Sequence, residues 1–295
     1  MAVVTPAGPL FDRFVVVDWS AANRPVTGAD SIWVADSHAA SINVPTRADT
    51  LRHIHRLIEE SALREDRLLI GWDFAFGYPA GFAQALGLEG WRGVWSMLHD
   101  RIDDTGDNRS NRFEVAAALN RSLGSGPGPF WGHSRAAPPP GLSAKRYPEG
   151  VPRDWPHAGF QYLRGAERRL ADRSHAASPV FKLAYTGCVG SQTLLGIARL
   201  EGLRRAFPDR VRIWPFETDF AADLSAPVIL AEIYPSFHAV PNGPEVKDRR
   251  QVDAVLRDFM DWNATGRMEA RLAAPALQGA ARKRVRDEEG WVVGL

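Results

Sequence analysis

Short runs of β-branched and other apolar residues in the first quarter of the chain predict β-strands. The runs occupy residues 14–17, 31–35, 41–44 and 67–72. The first run is apolar throughout, as expected for a strand that is buried on both faces of a sheet. Polar, turn-prone residues separate the second run from the third, which is typical of neighbouring strands.

A helix is predicted between the third and fourth runs. Thr46 can accept a hydrogen bond from a backbone N–H, and Asp49 can reach back toward it, so the two residues resemble a capping box. Leu51, Ile54 and Leu57 then follow at helical spacing. The order strand, strand, strand, helix, strand predicts a mixed sheet in which the helix makes a right-handed crossover.

The pattern weakens over residues 78–178, which contain scattered helical segments and a proline-rich stretch at 136–141. Apolar residues are too sparse there for a separate core. We therefore expect one α/β domain over residues 1–295 that carries a large, mostly helical or loop insertion. Further elements are predicted at the following ranges: a helix at 191–206, strands at 211–214 and 228–231, a helix at 247–262, and a terminal strand or tail at 289–295.

Composition narrows the class of protein. The 295 residues are 45% hydrophobic and 24% charged, which is ordinary for a globular chain. The 36 basic and 35 acidic residues give a net charge of +1, without the positive excess of a strong nucleic-acid binder, although a local basic groove is still allowed. The lone Cys188 excludes an internal disulfide and a cysteine-based zinc site. With no leader and no membrane-length apolar run, we expect a cytoplasmic protein without a membrane partner.

Acidic residues stand at the ends of several predicted strands. Asp18, Asp73 and Glu232 each follow a buried apolar run, and Glu217 is a weaker case because Pro215 interrupts its strand. Carboxylates at neighbouring strand ends can converge at the edge of an open α/β sheet. They would repel one another unless a cation lay between them, and hard oxygen ligands suit Mg²⁺ or Mn²⁺. The alternative is that each acid pairs with one of the many arginines.

Other residues with possible roles lie farther along the chain. Asp253 borders the buried stripe of the last helix, where it can point toward the other acids or pair with a nearby arginine. Lys182 and Lys247 are candidate phosphate contacts or ordinary solvated lysines. The turn at residues 187–191 could present N–H groups to an anion, or could simply pack a helix against a strand.

Eight short motifs occur in one order along nearly the whole chain. They are VDWS at 17–20, GWDFAFGYP at 71–79, PFWG at 129–132, VGSQTL at 189–194, WPFE at 214–217, AEIYPS at 231–236, DA at 253–254 and EGW at 289–291. With these motifs the chain resembles the "domain of unknown function 429" family of predicted nucleases with an RNase-H-like fold. The resemblance implies an acidic cluster, formed by Asp18, Asp73, Glu232 and Asp253. The chain departs from some nucleases of that fold, which carry a second acid on the last helix where Arg249 and Arg250 stand here.

We therefore expect a metal-dependent nuclease that acts on DNA or RNA. Asp18 would bridge two Mg²⁺ or Mn²⁺ ions, Asp73 and Glu232 would each complete one ion's shell, and Asp253 would hold a metal or orient water. The candidate substrate contacts are Lys182, Lys247, Ser191 and Gln192. Two alternatives remain, namely a Mg-nucleotide phosphotransferase of related fold and a non-catalytic accessory protein with a degenerate acidic site.

Overall fold

The fold is an α/β arrangement in which helices flank a six-stranded mixed sheet, as seen in a computed structural model. The structure describes residues 9–124, 128–133, 137–145, 159–175, 177–274 and 277–295. Segments 1–6 and 146–158, which bear on the expected lack of a leader and on the insertion, lie outside the described residues. The predicted mixed sheet with flanking helices is confirmed.

The strands and helices follow the predicted order at both ends of the chain. The strands are β1 Arg13–Asp18, β2 Ile32–Asp36, β3 Ala39–Val44, β4 Leu68–Trp72, β5 Val211–Ile213 and β6 Val228–Glu232. The helices in the described part of the chain are α1 Arg47–Arg64, α2 Phe82–Ala85, α3 Gly90–Arg101, α4 Arg112–Ser122, α5 Gly165–Asp172, α6 Gly190–Ala206, α7 Lys247–Ala264, α8 Met268–Leu272 and α9 Gly279–Arg284, with a 3₁₀ turn at Pro235–Phe237 and a π turn at Val285–Glu289.

The sheet has the strand order β3-β2-β1-β4-β6-β5. Strands β1, β2 and β3 are antiparallel, whereas β4 runs parallel to β1, and β6 runs parallel to β4 and β5. The carboxyl ends of β1, β4 and β6 therefore meet at one edge of the sheet, which is where open α/β sheets bind ligands.

Side chains alternate between two apolar cores on the two faces of the sheet. Val15 and Val17 of β1 pack on the face covered by α1 and α6, with Ile54 and Leu194. Phe14 and Val16 point to the other face, where α7 contributes buried side chains and Phe14 contacts Phe259 with ring centroids 6.1 Å apart. This alternation, with a period of two residues, decides which strand-end acids share a face.

Thr46 caps α1 as predicted, but Asp49 returns a bond to the Thr46 hydroxyl and not to its backbone N–H as in a capping box. Thr46 Oγ1 accepts the Asp49 N–H at 3.0 Å and donates to Asp49 Oδ2 at 2.6 Å. The chain terminus also packs on the core, since the Val293 N–H donates to the Glu232 carbonyl at 3.0 Å and Val292 is buried. None of the described helices is long and apolar enough to cross a membrane.

Candidate functional site

Asp18 and Asp73 lie side by side at the ends of two adjacent parallel strands. Val17 of β1 is in register with Trp72 of β4, and the Asp73 N–H donates to the Val17 carbonyl at 3.0 Å. The next residues, Asp18 and Asp73, therefore occupy one row of the sheet. Residues in one row point to the same face, and here that face is the one covered by α7.

Burial is the largest influence on the charge of this pair, and repulsion between carboxylates adds to it. Poor solvation raises the pKa of Asp18 well above its ordinary value, and the negative charges of Asp73 and Asp248 raise it further. Burial likewise raises the pKa of Asp73 to about 7, with smaller contributions from Glu232 and Asp248. Lys247 lowers the pKa of Asp18, but less than these effects raise it. No arginine or lysine of the described residues forms an ion pair with either aspartate, so Lys247 offsets the effects of burial and repulsion only in part.

Asp248, in the first turn of α7, is the third acid of this group, and sequence reasoning missed it. Its Oδ2 accepts the Asp30 N–H at 2.7 Å, and burial raises its pKa. Asp248 precedes the buried Val252 by four residues, one helical turn, so the two share a face. That spacing was the signal in the sequence. A stabilising role at the helix N-terminus is also consistent with this position.

Asp253 points away from the acid pair. It follows Val252 by one residue, so it lies about 100° around the helix and faces the sheet edge. Its Oδ1 accepts a hydrogen bond from Ser41 of β3, and Arg249 Nε lies 3.7 Å from its Oδ2. The side chain is 39% exposed. These contacts match the surface ion pair that the sequence left open.

Glu232 is in register with Trp72, one row before Asp73, so its side chain starts from the opposite face of the sheet. Arg164 binds it in a two-pronged pair, Nη2 to Oε1 at 2.7 Å and Nη1 to Oε2 at 2.8 Å. The Phe76 N–H also donates to Oε2 at 2.9 Å. Burial raises the pKa of Glu232, although Arg164 opposes that shift. Both carboxylate oxygens are thus occupied by protein donors.

Arg164 belongs to the weakly patterned insertion, and no sequence signal identified it. It is buried and also pairs with Glu167, at 2.6 Å from Nη2 to Oε1. Glu217 is held in a comparable way, since its Oε2 accepts the Ile213 N–H at 3.0 Å and its Oε1 lies 2.9 Å from Arg92 Nη2. Both glutamates have protein partners of their own.

Three of the four candidate substrate contacts, Lys182, Ser191 and Gln192, have local hydrogen-bond partners as well. Lys182 Nζ donates to the Thr186 carbonyl at 2.6 Å, and Gln192 Nε2 donates to the Trp19 carbonyl at 2.6 Å, directly after Asp18. Ser191 Oγ donates to the Leu183 carbonyl at 2.7 Å. Lys247 begins α7 and is close enough to Asp18 to affect its pKa.

A cavity of about 220 Å³ adjoins Asp73 of the acid pair. Asp73, Glu232 and Arg164 line one part of it, and Gln192 with the turn at residues 187–189 lines another. Asp73 therefore faces a space that a small molecule or a group of a larger substrate can enter.

Asp18 and Asp73 offer two ligands to a divalent cation, fewer than a site built from protein ligands alone requires. Among the described residues, no group of three or more His, Cys, Asp or Glu is arranged to hold a metal ion. Asp18 and Asp73 supply two hard oxygen ligands without competing cations. Mg²⁺ is commonly bound by one or two carboxylates together with water and substrate phosphate, so two ligands are sufficient for that mode.

Comparison of the chain with models of protein families, with curated proteins and with solved structures finds no match in any of the three.

Proposed function

We propose that the protein is a divalent-cation-dependent phosphodiester hydrolase of nuclease type, with an RNase-H-like sheet, and that Asp18 and Asp73 hold the cation. The observation that carries this proposal is that two poorly solvated aspartates at adjacent strand ends form no ion pair among the described residues, while Asp73 repels Asp18. Carboxylates kept poorly solvated and unpaired cost folding free energy, and such sites are enriched in functional centres. Three antiparallel strands, a helix and a strand parallel to the first are consistent with the proposed fold.

Each residue of the site has a distinct part in this proposal. Asp18 and Asp73 would hold Mg²⁺ or Mn²⁺, which polarises a phosphoryl oxygen and stabilises negative charge on it. Asp248 would act beside them, as an acceptor for a proton or for water near the acid pair. Glu232 would keep its structural pairing with Arg164 and position the start of the segment that follows Asp73, through its bond to the Phe76 N–H.

A cleavage assay tests the hydrolase directly. Labelled single-stranded and duplex DNA and RNA would be incubated with the protein and Mn²⁺ or Mg²⁺. Asp18→Asn and Asp73→Asn should each lower the cleavage rate by more than about 100-fold. Losing only a hydrogen-bond partner of a metal ligand typically lowers activity by about 10- to 100-fold, and losing a ligand itself should cost more. Asp253→Asn is the matched control and should cleave at the wild-type rate. Absence of cation-dependent cleavage of all four substrates would refute the nuclease proposal.

A second candidate, a Mg-nucleotide phosphotransferase, is favoured by the cavity beside Asp73 and by the glycine-containing turn that lines it. Thermal unfolding with Mg²⁺ and a nucleoside triphosphate separates the two functions. A rise in melting temperature with the nucleotide, but not with oligonucleotides, would favour the phosphotransferase. Failure to bind Mg²⁺ or Mn²⁺ at millimolar concentration would favour a non-catalytic accessory protein instead.

A further inference from the structure

Arg112 is a buried arginine without a carboxylate partner in the described part of the chain. The residue is 6% exposed. Its Nε donates to Ser191 Oγ at 3.0 Å, and its Nη1 donates to Ser110 Oγ at 2.9 Å and to the Asn23 side chain. All three acceptors are neutral, and Nη2 has no acceptor among the described residues. Burial lowers the pKa of Arg112 to about 10, so the group is still charged at neutral pH.

The other buried arginines show what is unusual about Arg112. Arg13 pairs with Asp36 at 2.6 Å, Arg47 with Asp104 at 2.6 Å, and Arg164 with Glu167 and Glu232. A buried charge is costly unless it is paired, and the fold pairs these three. The same fold gives Arg112 only neutral hydrogen-bond acceptors among the described residues; Asp104 and Glu114 lie near enough to raise its pKa but form no ion pair with it.

A second positive group and a helix start lie at the same place. Both Lys182 and Arg112 act on the half-buried Cys188 thiol, lowering its pKa against the larger effect of burial. The two cations therefore both lie near Cys188. The N–H groups of Ser191 and Gln192, in the first turn of α6, donate to no backbone or side-chain acceptor within the described residues.

Glycine at position 190 allows this close arrangement. A Cβ there would lie 2.5 Å from the Val180 carbonyl oxygen and 2.7 Å from that of Lys182, distances that backbone atoms do not tolerate. Only glycine lets α6 begin against the segment that carries Lys182. The consequence is that free N–H groups and two cations share one small region.

We infer that Arg112, Lys182 and the first turn of α6 bind an oxyanion of the phosphate class. The ligand places a negative charge in direct contact with the guanidinium, where the described residues place only neutral acceptors, and its oxygens accept from Nη2 and from the free N–H groups. Arg112 also contacts Asn23, in the loop that follows β1, so a bound oxyanion ties that loop to α6. This inference stands apart from the proposed cation site, because it depends on a different set of residues.

Inorganic phosphate is the probe for the first experiment. Calorimetric titration and thermal unfolding would compare potassium phosphate with potassium chloride at equal ionic strength. The wild-type protein should show saturable, phosphate-specific binding and a rise in melting temperature. Arg112→Gln should weaken phosphate binding by about 10- to 100-fold, since it removes hydrogen bonds from a charged donor. Arg257→Gln, at an exposed arginine of α7, is the matched control and should bind as the wild type does.

Arg112→Lys keeps the experiment decisive if Arg112→Gln fails to fold. Lysine retains the charge without the planar fork, so it should bind phosphate more weakly than arginine but measurably. The inference is overturned if the wild-type protein binds phosphate no better than chloride, or if Arg112→Gln binds it with undiminished affinity. In either case Arg112 would be a structural tether between the Asn23 loop and α6.

A second arm identifies the source of the oxyanion. If Mg²⁺ strengthens phosphate binding in the wild-type protein but not in Asp73→Asn, the oxyanion is a group of a ligand that also binds the acid pair. If phosphate binds equally with and without Mg²⁺ and in Asp73→Asn, the oxyanion site is independent. Both results support the site, and the second would do so even if the proposed hydrolase function failed.

Discussion

The carboxylate of Glu232 and those of Asp18 and Asp73 differ in whether protein donors neutralise their charge. All three stand at the carboxyl ends of neighbouring parallel strands and are poorly solvated. Glu232 receives two hydrogen bonds from Arg164 and one from a backbone N–H. Asp18 and Asp73 receive no comparable donors within the described residues, and they repel each other.

At one edge of the sheet, this difference distinguishes a carboxylate that is fully paired within the protein from two that are not. A buried ion pair that is fully hydrogen-bonded needs nothing from outside the protein. Two unpaired carboxylates destabilise the fold until a cation or protons neutralise them. Under the proposed function, Glu232 would therefore belong to the scaffold and Asp18 and Asp73 to the reactive centre.

Removing Arg164 should produce the largest effect. Arg164→Gln leaves Glu232 and Glu167 buried without a cation, which we expect to destabilise the fold by about 3–5 kcal/mol. Chemical denaturation measures the change, with the exposed-site variant Arg257→Gln as the control. If the free energy of unfolding falls no more than in the control, the pairing of Arg164 with Glu232 contributes little to stability.

Removing one charge of the acid pair should stabilise the fold, whereas removing Arg164 should destabilise it. The pKa of Asp73 is about 7 in the folded protein, against about 3.9 in an unfolded chain. Between these values the folded state binds more protons, so the contribution of Asp73 to stability falls as pH rises. Asp73→Asn should therefore stabilise the cation-free protein at pH 8, by up to about 4 kcal/mol, and have little effect near pH 4.

Denaturation at both pH values in the presence of a chelator checks this prediction. A destabilised Asp73→Asn protein at pH 8 would mean that the ionised carboxylate has a favourable partner, and the contrast with Glu232 would then disappear.

The smallest effect is expected at Asp253. Its pair with Arg249 is half-exposed and long, at 3.7 Å, and such pairs contribute about 1 kcal/mol or less. Asp253→Asn should change the melting temperature only slightly and leave cation binding intact. Loss of cation binding in this variant would restore Asp253 to the acidic cluster that the family resemblance implies.

The sequence predicted the sheet and the location of the acids better than their roles. Apolar runs and the Thr46 cap were sufficient for the strands and for α1, because these signals are local. Register is not local: a one-residue offset sets Glu232 apart from Asp73, and pairing between distant strands decides it. Arg164 could not be foreseen either, since it comes from the insertion and reaches Glu232 only through the tertiary fold.

On the last helix, the predicted acid Asp253 and the acid that lies near the pair, Asp248, differ in helical phase. The sequence contained the i, i+4 spacing from Asp248 to Val252, which puts that acid on the buried face. Asp253 lies one residue after Val252, at the border of that face. The sequence did not indicate a special role for Arg112, because its burial and its lack of an ion pair depend on residues that are distant in the sequence.

Calorimetric titration of Mn²⁺ into the wild-type protein and Asp73→Asn, between pH 6 and pH 8, tests the central claim most directly. The account predicts that wild-type affinity rises with pH as Asp73 loses its proton near its pKa of about 7, that binding releases protons below that pH, and that Asp73→Asn does not bind. Absence of Mn²⁺ binding by the wild-type protein at pH 8, or equal binding by Asp73→Asn, would contradict it.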